Sequence, residues 1–366
     1  MKSLKAWWSS GWRVGLCLLL LLWIFHSIFL NEGRIWAQRE GLRWAQMSRG
    51  QQWNLAWSKG PQDLWRTLYL VHPGALLLSL LLVGLAIWLG VVRWRFVLKA
   101  QGLELSLSRA TRISFVAQFF NSFLLGSTGG DLIKAYYAAR ETHHRKTEAV
   151  TTVFVDRLVG LWAMLLFAGM MMLPNLQLLR QNREFAVPGL IILVMLAALT
   201  IVLSLAFWGG VSKRFPRARH YLRRLPKGEL LERSLDSCRQ FGRETGLLVK
   251  AVGLSLVLNI IWVVQISVLG WGLHQTIPFT ALLLIVPIIL CISSLPITPN
   301  GLGVRENLFV IMLAVIAVPS TSALSLSLLA SAQGIFWSLI GGVVYMGLRE
   351  KEHLSEVTKE SMTGNN

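Results

Sequence analysis

Apolar residues run along this chain in blocks of the length a bilayer demands. A hydrocarbon core about 30 Å thick is crossed by roughly 20 helical residues, with a lower limit near 17. Six runs meet that requirement: 14–30, 73–92, 149–173, 186–208, 247–272 and 323–347. Two further stretches, 113–133 and 279–318, are apolar but broken by Gly, Pro and charged residues. The pattern predicts an all-α, polytopic membrane helix bundle forming one domain over 1–349, with a polar tail at 350–366 expected to be disordered. The basic residues Lys2, Lys5 and Arg13 precede the first run, and no small-x-small cleavage site follows it, so it reads as a retained span and not a signal peptide.

Charge turns this list of spans into a topology. Basic residues gather in cytoplasmic loops. Here they collect after the second span (Arg93, Arg95, Lys99, Arg109, Arg112), before the third (Lys134, Arg140, Arg145, Lys146) and in 212–246, which holds ten Lys and Arg. If all three segments are cytoplasmic, 113–133 enters and leaves on the same side. By the same logic 279–318 returns to the external side when both termini are cytoplasmic. Both stretches are therefore predicted re-entrant hairpins. Three full spans and one hairpin then make up each half, about 1–173 and 186–347, with opposite orientations. An inverted repeat with interrupted helices is a transporter pattern. The segment 31–72 is external in this scheme. It carries five tryptophans, at 36, 44, 53, 57 and 65, and is read as lying partly on the bilayer surface, with a simple exposed loop as the alternative.

Composition narrows the partners. Charged residues make up 15% of the chain against the roughly 25% usual for soluble domains. The 36 Lys and Arg against 18 Asp and Glu follow the loops, so the excess reads as an orientation device and no nucleic-acid partner is expected. The cluster in 212–246 is expected to touch anionic lipid headgroups. Cys17, Cys238 and Cys291 lack metal-ligand spacing, so no metal is expected. Walker A, G-x-S-x-G and H-E-x-x-H patterns are absent, and no cofactor is expected.

The candidate chemistry sits at the breaks. The first stretch contains Asn121, Ser122, Gly126, Ser127, Thr128, Gly129, Gly130, Asp131 and Lys134. Polar, Gly-rich backbone at membrane depth is tolerated only where it is buried in protein or lines a watery cavity. A helix starting near Gly130 would present amides to an anion, a lipid phosphate being the evident one. The bland alternative is a turn with Asp131 as N-cap. The second stretch contains Ser293, Ser294, Pro296, Thr298, Pro299, Asn300, Gly301, Gly303, Arg305 and Glu306. Arg305 can grip a phosphate with two prongs or neutralise Glu306. In the third span, Asp156 and Arg157 are intramembrane charges and so candidates for function. Thr152, Asp156 and Gly160 share one face, and Arg157 has the option of snorkelling to headgroups. Asn259 and Gln265 in the fifth span either line a path or bond between helices.

These motifs together resemble the transmembrane, flippase-like region of lysylphosphatidylglycerol synthases. The matching pieces are Arg93, Trp94 and Arg95; Gly126 to Asp131 with Lys134; Val155, Asp156, Arg157 and Leu158; and Pro299, Asn300, Gly301, Leu302, Gly303, Val304, Arg305 and Glu306. They fall in the family's order across most of 14–347. Leu125 stands where the family often has proline, and Asn300 where it often has glycine. The resemblance implies a lipid-handling membrane domain. In two-part members this region is associated with moving aminoacylated phosphatidylglycerol between leaflets, and some archaeal relatives are tied to polyprenyl-linked sugar pathways. Only a short tail follows the last span, so aminoacyl transfer by this chain alone is not expected.

The leading expectation is a lipid translocase in the cell membrane, with a polar cavity formed by the two hairpins and a phosphate-bearing phospholipid or polyprenyl lipid as its partner. Gly129, Gly130 and Gly301 would offer amides, with Asn300 and Gly303 completing the second break. Lys134, Arg157 and Arg305 would neutralise phosphate, and Asp131, Asp156 and Glu306 would hold those cations or take a cationic headgroup. Two rivals stand beside it. One is a membrane transferase using a polyprenyl-phosphate substrate, with Asp131 or Asp156 as base. The other is a non-catalytic partner of a lipid-modifying enzyme.

Overall fold

The structure is a computed structural model that describes residues 22, 25–26, 29–30, 33–34, 36–38, 40–123, 129–142, 145–207, 241–242, 244–295, 301 and 303–363. The first span (14–30), nearly all of the basic loop 212–246, and positions 124–128 and 296–300 of the two breaks lie wholly or largely outside the described residues.

Every regular element among the described residues is helical. A short 3-10 turn (Trp44–Gln46) precedes, in chain order, α1 (Arg49–Tyr69), α2 (Pro73–Ala100), α3 (Leu107–Phe123), α4 (Gly129–Glu141), α5 (Lys146–Met172), α6 (Leu176–Gln181), α7 (Arg183–Phe207), α8 (Thr245–Gly272), α9 (Phe279–Ser293), α10 (Val304–Ala314) and α11 (Ser320–Thr363). Five are long and apolar enough to cross a membrane: α2, α5, α7, α8 and the Ser320–Gly347 part of α11. They coincide with the second to sixth expected spans. The chain is a polytopic helical membrane protein.

The two interrupted stretches become pairs of short helices. The 17 residues of α3 span about 26 Å at 1.5 Å per residue, and the 13 of α4 about 20 Å. Helix α4 is too short to cross a hydrocarbon core, α3 is at the lower limit and carries Arg109 and Arg112 in its first two turns, and the two pack on each other. The 15-residue α9 and the 11-residue α10 form a second such pair. Gly301 and Gly303 introduce α10 with φ of +70° and +82°, a backbone region that residues with a Cβ seldom adopt.

Several boundaries move. Helix α2 runs on to Ala100, so Arg93, Arg95 and Lys99 lie in its last two turns and not in a loop. Basic residues suit a helix C-terminus, where they complement the macrodipole. The segment 31–72 contains α1, whose N-terminus is closed by reciprocal bonds between Ser48 and Gln51. The loop 174–185 contains α6 and the start of α7. Helix α11 continues to Thr363, well past the expected end of its span at 347.

Contacts divide the chain into two compact units that do not follow the two sequence halves. Unit 1 comprises Met1–Ala86, Leu161–Thr200 and Ser255–Gln333. Its core is dense with branched aliphatics, and α9 supplies more of them than any other helix. Leu282, Leu284, Ile285, Ile288 and Ile289 are all inaccessible, which is why so apolar a helix can be so short: it faces protein on every side. By contrast α7 presents Val187, Leu190, Val194, Ile201 and Val202 outward, as a lipid-facing helix does. Unit 2 comprises Ile87–Gly160, Ile201–Leu254 and Gly334–Asn366. Its core gathers Val91, Trp94 and Leu98 of α2, Ile113 of α3, Ala135 and Ala138 of α4, and Val153 of α5.

Candidate functional site

In unit 2, α4 begins at Gly129, one residue from the expected start. Close approach to α3 requires a glycine at 130: a methyl group there would overlap the Ala117 carbonyl oxygen and the Asn121 amide. The Gly130 N–H donates to Asn121 Oδ1 at 2.8 Å. Helix α3 is seated in turn on the C-terminal part of α11. A methyl at Gly341 would overlap the Phe115 carbonyl, and the Ser122 and Ser338 hydroxyls meet at 2.7 Å. The start of α4 is therefore held in place by backbone contact and by hydrogen bonds.

Charged side chains converge on this helix start. Asp131 lies in the first turn of α4, so it is not the N-cap; its carboxylate accepts from Arg157 of α5. One turn on, Lys134 donates to Asp156 Oδ2 at 3.4 Å. Arg93 reaches the same carboxylate from α2 with two prongs, Nε to Oδ1 at 2.9 Å and Nη2 to Oδ2 at 3.3 Å. Lys134 Nζ also stands 4.2 Å from the centroid of the Trp94 ring, a cation–π contact. The Trp94 indole N–H is buried and has no acceptor among the described residues. Thus three basic side chains surround two carboxylates at one end of α4. Asp156, Lys134 and Arg93 are largely shielded, whereas Arg157 keeps about two-fifths of its side-chain surface open.

The expected face of Thr152, Asp156 and Gly160 is real. Thr152 is fully buried, and its hydroxyl donates to the Ala149 carbonyl. A Cβ on Gly160 would come within 2.6 Å of Arg93 Nη1 and 3.0 Å of its Cζ. The Arg93 guanidinium therefore lies against bare α5 backbone, and Gly160 is what allows it. Arg157 pairs with Asp131 within the bundle instead of only reaching for headgroups.

The other candidates lie in unit 1. Glu306, in the first turn of α10, is fully buried. Its carboxylate accepts from the Gly303 N–H at 2.6 Å, from Ser327 Oγ at 3.2 Å and from Ser331 Oγ at 3.4 Å. Arg305 Nε lies 3.6 Å from Glu306, and Arg305 also donates to Ser331. The neutralising pair is thus the arrangement adopted. The Gly303 amide is engaged by Glu306, as that of Gly130 is by Asn121, so an anion at either place would have to displace a side-chain oxygen. Gly301 rests on Ser293: a Cβ would approach the Ser293 carbonyl oxygen to 2.9 Å. Asn300 lies outside the described residues.

Sequence reasoning placed Arg93 in a cytoplasmic loop and gave it no role in the site. The Arg93, Trp94, Arg95 motif contained the available clue, but a pairing over 63 residues leaves no local trace. Ser327 and Ser331 went unnoticed because hydroxyls are common in helices. Gln265 takes the bland alternative: it donates to Gln333 at 2.9 Å, and Gln333 donates in turn to Ser79 at 2.5 Å. Asn259 donates to the Ser255 carbonyl of its own helix. Among the described residues, no group of His, Cys, Asp and Glu could hold a metal ion.

Comparison with known proteins agrees with this architecture. A model of the family described as "Lysylphosphatidylglycerol synthase TM region" matches residues 50–342. The chain is also similar to the UPF0104 membrane protein PH1989 of Pyrococcus horikoshii, with 23% identity over 297 residues, covering 75% of this chain and 87% of the relative.

Proposed function

This chain belongs to the lysylphosphatidylglycerol synthase transmembrane-region family, and from that premise we propose that it is a lipid translocase moving a phosphate-bearing lipid between membrane leaflets. The observation that carries the proposal is the charge cluster of Arg93, Lys134, Arg157, Asp131 and Asp156, shielded around Asp156 and open at Arg157. Ionisable groups are costly in a membrane bundle and typically mark a substrate or ion path. Three cations gathered at a helix N-terminus suit an anion, because the first-turn amides and the helix dipole add to their attraction. In this reading, Lys134 and Arg157 exchange their carboxylate partners for the lipid phosphate, and Gly129 contributes an amide. Asp131 and Asp156 hold the two cations when the seat is empty. At the second break, Arg305 makes the same exchange, leaving Glu306 and Ser331 for phosphate beside Asn300, Gly301 and Gly303.

The surrounding scheme is part of the proposal. Both termini lie in the cytoplasm of a cell in which this is a plasma or inner membrane protein. Each short-helix pair, α3–α4 and α9–α10, returns to the side from which it entered. The basic segment 212–246 rests on anionic headgroups. The lipid moves passively or down a gradient.

Reconstitution in liposomes tests the function. Leaflet exchange of a labelled anionic phospholipid and of a labelled polyprenyl phosphate should exceed that of protein-free vesicles. Exchange should fall with Asp131→Asn and with Arg305→Ala. If no lipid exchanges, and product forms when an activated sugar is added, the protein is a transferase and the proposal fails.

A further inference from the structure

We propose that Arg93 is a positioning residue: by tying up the Asp156 carboxylate it gives the α4 seat its preference for anionic lipid, without touching the lipid itself. The inference rests on the headgroup seat proposed above.

Three observations lead there. First, the contacts to Asp156 are unequal. Arg93 engages both carboxylate oxygens at 2.9 and 3.3 Å, whereas Lys134 makes one contact at 3.4 Å. Two-pronged, charge-assisted bonds are the stronger and more directional kind. Arg93 is therefore the fixed counter-charge of Asp156, and Lys134 is the partner that can leave. Second, the fold holds the guanidinium in place. It lies on α5 at Gly160, where a single added carbon would come within 2.6 Å of Nη1. Third, the residue after Arg93 provides Lys134 with a second resting place. The Trp94 ring lies 4.2 Å from the ammonium, so Lys134 can turn from Asp156 and keep a favourable contact.

The electrostatic consequence follows. A carboxylate without its counter-charge, a few ångströms from an incoming phosphate, repels it. At separations near 6 Å and an effective dielectric constant near 20, one such charge changes affinity by about tenfold or more. With Arg93 locked on Asp156 that repulsion is cancelled, and Lys134, Arg157 and the Asp131 carboxylate that Arg157 leaves set the field that the phosphate meets.

The test uses the full chain in nanodiscs. Binding of dioleoylphosphatidylglycerol is titrated against dioleoylphosphatidylcholine, and the ratio of the two affinities is read alongside thermal unfolding. Arg93→Gln should lower the anionic preference at least about tenfold. Adding Asp156→Asn to Arg93→Gln should recover it to within about threefold, because the repelling carboxylate is gone. Gly160→Ala, which keeps every charge but denies the guanidinium its seat, should shift the ratio in the same direction as Arg93→Gln. If Arg93→Gln alone does not fold, the double variant and Gly160→Ala still decide, since removing both members of a buried pair is tolerated far better than removing one.

An unchanged ratio in Arg93→Gln overturns the inference. So does a double variant as weak as Arg93→Gln, because Arg93 would then touch the phosphate itself. Wild-type protein with no preference for the anionic lipid removes the seat proposed above and this inference with it. Binding is read and not exchange, so a protein that prefers the anionic lipid but moves none would refute translocation alone.

Discussion

Replacing Gly130 by alanine is the sharpest probe of how the start of α4 is built. The added methyl would overlap the Ala117 carbonyl oxygen and the Asn121 side chain. A side chain can rotate away, but the Ala117 carbonyl belongs to the backbone of α3 and cannot. Helix α4 must therefore retreat, and the bond from the Gly130 N–H to Asn121 at 2.8 Å is lost with it. Overpacking of this kind costs about 1–3 kcal/mol, and the lost hydrogen bond adds about 0.5–1.5 kcal/mol. A total of about 1.5–4.5 kcal/mol corresponds to roughly a 10- to 1500-fold shift in the folding equilibrium, at about 1.4 kcal/mol per tenfold. Unfolding by sodium dodecyl sulfate, followed through tryptophan fluorescence, measures it. Two comparisons isolate the cause. Asn121→Ala removes the hydrogen bond alone and should cost about 1 kcal/mol. Gly253→Ala in α8 adds a methyl where no atom lies within 4 Å, and should stabilise by about 0.5–1 kcal/mol. A Gly130→Ala protein that unfolds at the wild-type detergent concentration would refute the close approach of α3 and α4.

Three other substitutions give contrasting outcomes. Arg109→Gln breaks an exposed pair with Glu141 and should change stability by less than about 1 kcal/mol in the same titration. Gln333→Leu strands the Gln265 amide, while Ser79 keeps its bond to the Leu76 carbonyl, so it should cost about 1–2 kcal/mol, whereas Gln265→Leu with Gln333→Leu should cost less than the single change. For topology, single cysteines at 126 and 301, in a background free of Cys17, Cys238 and Cys291, should react with small aqueous reagents from opposite faces of the membrane; labelling of both from one face would refute the re-entrant scheme.

The spans were legible because bilayer thickness imposes one strong demand, and runs such as 186–208 and 247–272 meet it in sequence alone. The short-helix pairs were legible through their breaks: Gly129–Gly130 and Gly301–Gly303 mark where an apolar pattern stops being one helix. The site was half legible. Asp131, Lys134, Asp156 and Arg157 drew attention because charge within an apolar run is expensive. Arg93 did not, since it adjoins a basic loop and looks like an orientation residue until the fold brings it to Asp156. Glu306 was linked to Arg305 by adjacency, but its tighter bonds to Ser327 and Ser331 depend on how α10 lies against α11. The extent of α2 and α11 beyond the membrane runs was invisible to hydropathy, which stops at the first charges.

The interleaving of the two units bears on biosynthesis. Unit 1 takes residues up to Gln333, and unit 2 begins its last segment at Gly334. Unit 1 cannot close until residues 320–333 of α11 have been released, and unit 2 not until the part of α11 from Gly334 onward has followed. For most of translation, α2, α5, α7 and α8 must wait in the bilayer without their final neighbours. Individual helices tolerate this because their backbone groups are satisfied internally. The charges of α4 and α5 are less patient. Asp131 and Lys134 are synthesised before Asp156 and Arg157, so their mutual neutralisation is delayed by about twenty residues of chain growth. A variant that weakens these pairs should therefore show its defect first as premature degradation of newly made protein, even where the finished molecule is stable.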